Sequence, residues 1–314
     1  MASLPPFKIF SGTSHPELAK AIARHLGVKL SEILVSRFAC GEVYARPLET
    51  VRGCDVFIVQ TATHNVDKDL MELFIMMDSL KRAFAAKVHV VMPYYGYARQ
   101  DRVTVPREPI SAKLVADLIS SAGADHLVTI TLHSDQVQGF FDFPVDNLIA
   151  RKLFVQYFNK KKIKDLTVVS PDAGGVKEAK KFANLIGAEL AIIYKSRTAH
   201  NVSEVTSVVG DVKGRTCLLY DDMIDTAGSV CNAAEALRKS GANKDIYLAA
   251  THAVFSDPAV QRLKKAKFKE IVITDTIPLD KKKTMQNLKV LSVANMLGDV
   301  IKNVHESKSV TVVL

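Results

Sequence analysis

Three carboxylates, two hydroxyls and a glycine fall between positions 221 and 229, in Leu218-Leu219-Tyr220-Asp221-Asp222-Met223-Ile224-Asp225-Thr226-Ala227-Gly228-Ser229. These residue types in this order suit a sugar phosphate. Asp221 and Asp222 match ribose hydroxyls, or a metal ion that bridges them. Backbone N–H groups and the hydroxyls of Thr226 and Ser229 can hold a phosphate at the positive end of a helix. The residues leading to Asp221 are apolar and predict a buried strand with both acids at its carboxyl edge. From Val230 onward, Ala233, Ala234 and Leu237 continue an apolar helical face that Gly241 stops. An ordinary helix cap would explain Asp225 or Thr226 alone, but not the whole set.

The same grammar runs through the chain. Strands are expected over 7–10, 56–60, 88–92 and 127–132, and again over 166–169, 190–194, 217–220, 246–250 and 271–274. Helices are expected between them. One opens at Pro16, carries Leu18, Ile22 and Leu26, and stops at Gly27; others cover 69–84, 110–119 and 176–186. The helix over 69–84 is broadly apolar, which marks a core element or a subunit contact. Strands alternating with helices in two successive series predict an α/β fold with two similar domains. Each is a doubly wound, mainly parallel sheet flanked by helices, and functional residues belong at the carboxyl edges of the strands.

Bulk properties narrow the class. The 314 residues are 48% apolar and 24% charged, the balance of a globular protein with room for a substantial core. No run is long or apolar enough to span a membrane, and the first residues lack signal-peptide character, so a cytoplasmic protein is expected. Cys40, Cys54, Cys217 and Cys231 lack paired metal-type spacing, and Cys54 and Cys217 read as reduced, packed thiols. The net charge of +9 raises the question of nucleic acid, but the lysine clusters lack interleaved aromatics, and no nucleic-acid partner is expected. A basic surface equally suits anionic small substrates.

Three further strand-edge loops carry chemistry. The run 94–102 offers tyrosine rings for a nucleobase and the guanidinium forks of Arg99 and Arg102 for a polyphosphate. Ser170-Pro171-Asp172-Ala173-Gly174-Gly175 is a small-residue turn between a strand and a helix. Thr131-Leu132-His133-Ser134-Asp135-Gln136-Val137-Gln138-Gly139-Phe140-Phe141-Asp142 places a histidine at a strand end. This last run closely resembles a segment diagnostic of phosphoribosyl diphosphate (PRPP) synthetases, the class I-type ribose-phosphate diphosphokinases. The resemblance covers almost the whole chain, including Tyr95-Gly96-Tyr97-Ala98-Arg99-Gln100-Asp101, the 170–175 turn and the 218–229 stretch.

The resemblance implies two phosphoribosyltransferase-type domains: 1–148 with the ATP-binding loops, and 149–314 with the ribose-5-phosphate and diphosphate loops. It implies transfer of the diphosphoryl group of ATP to the anomeric hydroxyl of ribose 5-phosphate, giving PRPP and AMP, with Mg²⁺ as cofactor. Phe38, Cys40, Gly41 and Glu42 would help hold ATP from a neighbouring subunit, with Arg99, Gln100 and Asp101 as further contacts. His133 and Asp172 would bind or position the metal, and Asp172, Ala173, Gly174 and Gly175 would cradle diphosphate. Asp221, Asp222, Asp225, Thr226, Ala227, Gly228, Ser229 and Arg197 would hold ribose 5-phosphate. Lys195 and Arg197 match the family's mobile catalytic loop, in which they stabilise charge on the reacting phosphorus. Relatives assemble as dimers and hexamers.

Two positions depart from the family pattern in ways that bear on function. Cys40 replaces an Asp or Asn that contacts the nucleotide, and Thr131 replaces an acid two residues before the metal-linked histidine. They keep open a second reading, a PRPP synthetase-like regulatory subunit with little or no activity. A phosphoribosyltransferase is a third, but it has no use for an ATP-type segment such as 95–101. No G-x-x-x-x-G-K-[ST] run exists, so this is not a P-loop kinase.

Overall fold

The computed structural model describes residues 5–196 and 205–311. They form two compact units, each built around its own sheet. The first contains β1 (Phe7–Ser11), α1 (Pro16–Leu26), β2 (Ile33–Arg37), β3 (Val43–Pro47), β4 (Asp55–Val59) and α2 (Val66–Arg82). It continues with β5 (Lys87–Met92), α3 (Ser111–Ser121), β6 (His126–Ile130) and β7 (Val145–Leu148). Strands β1, β4, β5, β6 and β7 lie in the order β1-β4-β5-β6-β7, all parallel, while β2 and β3 pair as a separate antiparallel hairpin.

The second unit holds α4 (Arg151–Lys161), β8 (Leu166–Ser170), α5 (Val176–Ile186), β9 (Glu189–Ser196), β10 (Val205–Val209) and β11 (Thr216–Ile224). It also holds α6 (Gly228–Lys239), β12 (Ile246–Ala253), α7 (Ala259–Ala266), β13 (Glu270–Thr274) and β14 (Leu288–Leu291). Its sheet runs β10-β9-β8-β11-β12-β13-β14, with only β10 antiparallel to its neighbour. The two units repeat one topology. Strand β1 corresponds to β8, β4 to β11, β5 to β12, β6 to β13 and β7 to β14, with the β2–β3 hairpin matching β9–β10. The expected pair of similar, mainly parallel α/β domains is therefore present.

The strands form where β-branched and other apolar residues run together. β4 and β6 are buried along their whole length, as sheets covered on both faces require. The helices form where apolar residues recur on one face and a left-handed glycine ends them, as Gly27 does for α1 at φ 69° and Gly187 for α5 at φ 66°. Helix α2 buries Leu70, Leu73, Met76, Met77 and Leu80 against its own sheet. Met76 is thus a core residue, not part of a subunit contact.

The division of the chain differs from the expected 1–148 and 149–314. Unit 1 takes Met1–Ile149 together with Thr276–Pro278 and Ser292–Leu314, and unit 2 takes Ala150–Asp275 and Leu279–Leu291. The reason is the last helix, α8 (Ala294–His305), which packs on α1. It buries Leu297, Val300 and Ile301, and Gly298 leaves room for the His25 ring, which a β-carbon would meet at 2.6 Å. At its end the His305 ring lies 4.7 Å from that of Phe7, and its Nδ1 is 3.3 Å from Asp55 Oδ2.

Candidate active site

In unit 2, β11 outruns its neighbour. It pairs with β8 only as far as Leu219↔Val169, but with β12 as far as Ile224↔Ala253. Asp221 and Asp222 therefore belong to the protruding end of the strand rather than to a loop beyond residue 220. The Asp222 N–H donates to Asp221 Oδ1 at 2.9 Å. Burial pushes the Asp221 carboxyl well above the usual carboxylate range, and the charges of Asp222 and Asp172 push it the same way. Asp172 thus lies near enough to be felt by Asp221, which concentrates acids at the carboxyl edges of β8 and β11.

The turn after β8 is tied from within. Ser170 Oγ donates to the Asp172 carbonyl at 2.7 Å, and the Gly175 N–H donates to Asp172 Oδ1 at 3.0 Å. A β-carbon at position 175 would stand 3.0 Å from Ser170 Oγ, so a larger residue there would press on the hydroxyl that ties the turn. Asp172, Ala173 and Gly174 are exposed at the mouth of α5. The expected diphosphate cradle is therefore open to solvent, but one of its N–H groups is already taken by the Asp172 carboxylate.

The loop after β11 enters α6 through Ala227, whose backbone is left-handed at φ 60°. Ala227 occupies the cap position and offers no side-chain acceptor, so neither Asp225 nor Thr226 is an ordinary N-cap. Thr226 and Ser229 are exposed beside the first turn of α6, and Asp225 is half-buried. The Thr226 carbonyl accepts a hydrogen bond from Arg262 Nη1 at 3.0 Å. Sequence reasoning missed Arg262. It lies 36 residues further along, on α7, with no local motif to mark it.

In unit 1, Phe38, Cys40, Gly41 and Glu42 form the exposed tip of the β2–β3 hairpin. Phe38 N–H donates to the Glu42 carbonyl at 2.9 Å and Gly41 N–H to the Phe38 carbonyl at 2.8 Å. Gly41 has φ 96°, a conformation that favours glycine. The Phe38 ring is 57% exposed and meets Tyr44 edge to face at 5.9 Å. Arg99 and Gln100 are exposed and Asp101 half-buried in the loop after β5. Gln100 accepts from Ser111 Oγ at 2.7 Å and, through its carbonyl, from Ala112 N–H at 3.1 Å, so it also fixes the start of α3.

His133 is exposed, three residues after β6 ends at Ile130. Its loop begins at Thr131, left-handed at φ 49°, and Asn147 Oδ1 accepts the Leu132 N–H at 3.1 Å. Lys195 lies in β9, with its side chain outside the described residues, and Arg197 lies outside them altogether. Among the described residues no three His, Cys, Asp or Glu side chains group to hold a metal ion.

A second feature escaped the sequence reading: a buried polar network at the carboxyl edges of β1 and β4. Glu72 accepts from the Thr13 N–H at 2.7 Å and from its hydroxyl, while Gln60 accepts from the Ser14 N–H at 3.1 Å. Gly12 makes room for this network, since a β-carbon there would lie 2.1 Å from Gln60 Oε1 and would displace the Gln60 amide. Asp69 and Glu72 sit on the buried face of α2, in step with Leu73, Met76 and Leu80. Acids in step with an apolar stripe were the available signal.

Comparison with known proteins adds identity along the chain. The N-terminal domain family of ribose phosphate pyrophosphokinase matches residues 7–123, and the phosphoribosyl synthetase-associated domain family matches residues 198–314. The chain is 49% identical over 305 residues to the ribose-phosphate pyrophosphokinase of Oceanobacillus iheyensis, covering 97% of this chain and 96% of that protein. With the same-named protein of Caldanaerobacter subterraneus the identity is 51%, with the same coverage. The crystal structure of phosphoribosylpyrophosphate synthetase from Mycobacterium smegmatis superimposes with a TM-score of 0.92 at 46% identity, covering 96% of this chain and 99% of that one.

Proposed function

The chain belongs to the ribose-phosphate pyrophosphokinase family, and from that premise we propose how its residues do the work. It is an enzyme that transfers the diphosphoryl group of ATP to ribose 5-phosphate, giving 5-phosphoribosyl 1-diphosphate and AMP. In this reaction the anomeric oxygen forms a bond to the β-phosphorus of ATP and the bridge to the α-phosphoryl group breaks. Such transfers depend mainly on positioning and on neutralising charge.

The observation that carries the residue assignment is the concentration of carboxylates beside an open turn and an uncapped helix mouth in unit 2. Asp221, Asp222 and Asp225 are the groups for the ribose hydroxyls. Thr226, Ala227, Gly228 and Ser229 take the 5-phosphate at the start of α6. Asp172 to Gly175 take the diphosphate. Asp222 or a bound water takes the proton of the anomeric hydroxyl. Phe38, Cys40, Gly41 and Glu42, with Arg99, Gln100 and Asp101, hold ATP, and the exposed Phe38 ring is the surface for its base.

The donor chemistry fits Mg²⁺. Carboxylate oxygens such as Asp172 are hard ligands, and their mutual repulsion favours a divalent cation. Asp172 and His133 are the side chains that would hold or orient it, and few protein ligands are needed where phosphate oxygens and waters complete the shell. When bound, Mg²⁺ neutralises phosphate charge. Lys195 and Arg197 then stabilise the charge that develops on the transferred group. Self-association to dimers and hexamers, with the β2–β3 hairpin serving a neighbouring subunit, and a cytoplasmic location complete the proposal.

The deciding experiment incubates the pure protein with ATP, ribose 5-phosphate and Mg²⁺. AMP and 5-phosphoribosyl 1-diphosphate are expected in equal amounts, and Lys195→Ala should lose at least ~100-fold in rate. A wild-type protein that makes neither product with any divalent metal would sink the reading and favour a regulatory subunit.

A further inference from the structure

The duplicated topology allows one loop to be compared with its counterpart. The loop after β4 and the loop after β11 occupy matching places in the two sheets. In unit 1 the loop is held by acids. The Thr63 N–H and hydroxyl donate to Asp69 Oδ2 at 2.7 and 2.6 Å, and the neighbouring loop after β1 donates to Glu72. In unit 2 the loop is held by a cation. Arg262 Nη1 donates to the Thr226 carbonyl at 3.0 Å, and the same nitrogen lies 3.4 Å from where a β-carbon on Gly228 would stand. One loop is therefore braced by carboxylates, and the other, among its acids, by a guanidinium whose positive charge favours an anion beside it.

The brace bears on the peptide that controls the helix mouth. Ala227 follows Thr226 directly and adopts a left-handed backbone that costs an alanine ~1 kcal/mol or more. Its carbonyl accepts the Cys231 N–H at 3.2 Å, starting α6 with no side-chain cap. A carbonyl oxygen turned toward the phosphate would repel it. The guanidinium holds the Thr226 oxygen and, with Nη1 close to Gly228, brings positive charge to the first turn of α6. Arg262 is itself set by α7, where its N–H donates to the Pro258 carbonyl at 3.1 Å.

We propose that Arg262 is a positioning residue for ribose 5-phosphate, holding the 225–229 loop in its phosphate-binding shape through the Thr226 carbonyl. This rests on the assignment of that loop to ribose 5-phosphate, and its test reads binding rather than turnover. Titration calorimetry with ribose 5-phosphate compares the wild-type protein with Arg262→Gln, Arg262→Lys and, as a charge control on the same helix, Lys264→Gln. Arg262→Gln should weaken binding about tenfold or more. Arg262→Lys should recover part of the loss, Lys264→Gln should match wild type, and all should share one melting temperature and one calorimetric affinity for ATP.

Equal affinity of wild type and Arg262→Gln would overturn the proposal, as would an equal loss at the ATP site with a lowered melting temperature. A wild type that binds ribose 5-phosphate but makes no product would sink the catalytic reading while leaving the calorimetric comparison intact. A wild type that binds none would overturn both.

Discussion

Burial sets the folding of Asp221 against its ionisation. Burial, Asp222 and Asp172 all raise its carboxyl above its ordinary value of 3.8. The folded protein therefore binds this proton more tightly than the unfolded chain, so stability falls as pH rises from the unfolded value through the folded one. Asp221→Asn should raise the melting temperature at pH 7.5 and lose that advantage at about pH 3, below the ordinary carboxylate range. The same substitution should weaken ribose 5-phosphate binding. Thermal melts at both pH values, with calorimetry alongside, check the pair of outcomes; a gain equal at both would show that charge is not its source. Under the proposed assignment a cation and a sugar would relieve these carboxylates, a familiar exchange of stability for function.

At the scale of elements, the β2–β3 hairpin is where local sequence said least. Residues 33–47 alternate weakly, and no strand was expected there; the hairpin forms because Phe38 to Glu42 close a turn that Gly41 permits. Phe38 is 57% exposed at its tip, so truncation removes little packing from the protomer. Phe38→Ala should raise the KM for ATP roughly tenfold while leaving the KM for ribose 5-phosphate and the melting temperature unchanged. Steady-state kinetics with each substrate varied would test this, and equal changes in both constants would remove the hairpin from the ATP site. By contrast, α5 spans the 176–186 that periodicity predicts, because its apolar positions and closing glycine are all local.

At the scale of the molecule, the chain returns to its first unit to finish it. Leu297, Val300 and Ile301 of α8 are fully buried, each contributing about 1.5–3 kcal/mol. Their sum is comparable with the ~5–15 kcal/mol net stability of a typical domain. Removing residues 292–314 should therefore leave α1 uncovered, with a severe drop in soluble yield and loss of hydrogen-exchange protection across α1. Normal protection in α1 of the shortened chain would show that α8 is dispensable to the unit. The four cysteines differ in exposure. All are free, Cys54 and Cys217 are buried, and burial pushes the Cys217 thiol up to about 11, so it is packed rather than reactive.

The sequence by itself determined what short-range pattern can encode. Apolar runs gave the central strands, and glycine-closed amphipathic faces gave α1 and α5. The order of acids, hydroxyls and glycine along 221–229 pointed to sugar-phosphate chemistry. Only the tertiary structure decided what depends on partners distant in the chain. The pairing of β11 with β12 carries Asp221 and Asp222 into the strand, and the packing of α8 on α1 overrides the simple division near residue 148. The bond from Arg262 to Thr226 spans 36 residues, and Glu72 holds Thr13 from 59 residues away. Periodicity reports which face of an element is buried, but not what that face will meet; that is fixed when the sheets assemble.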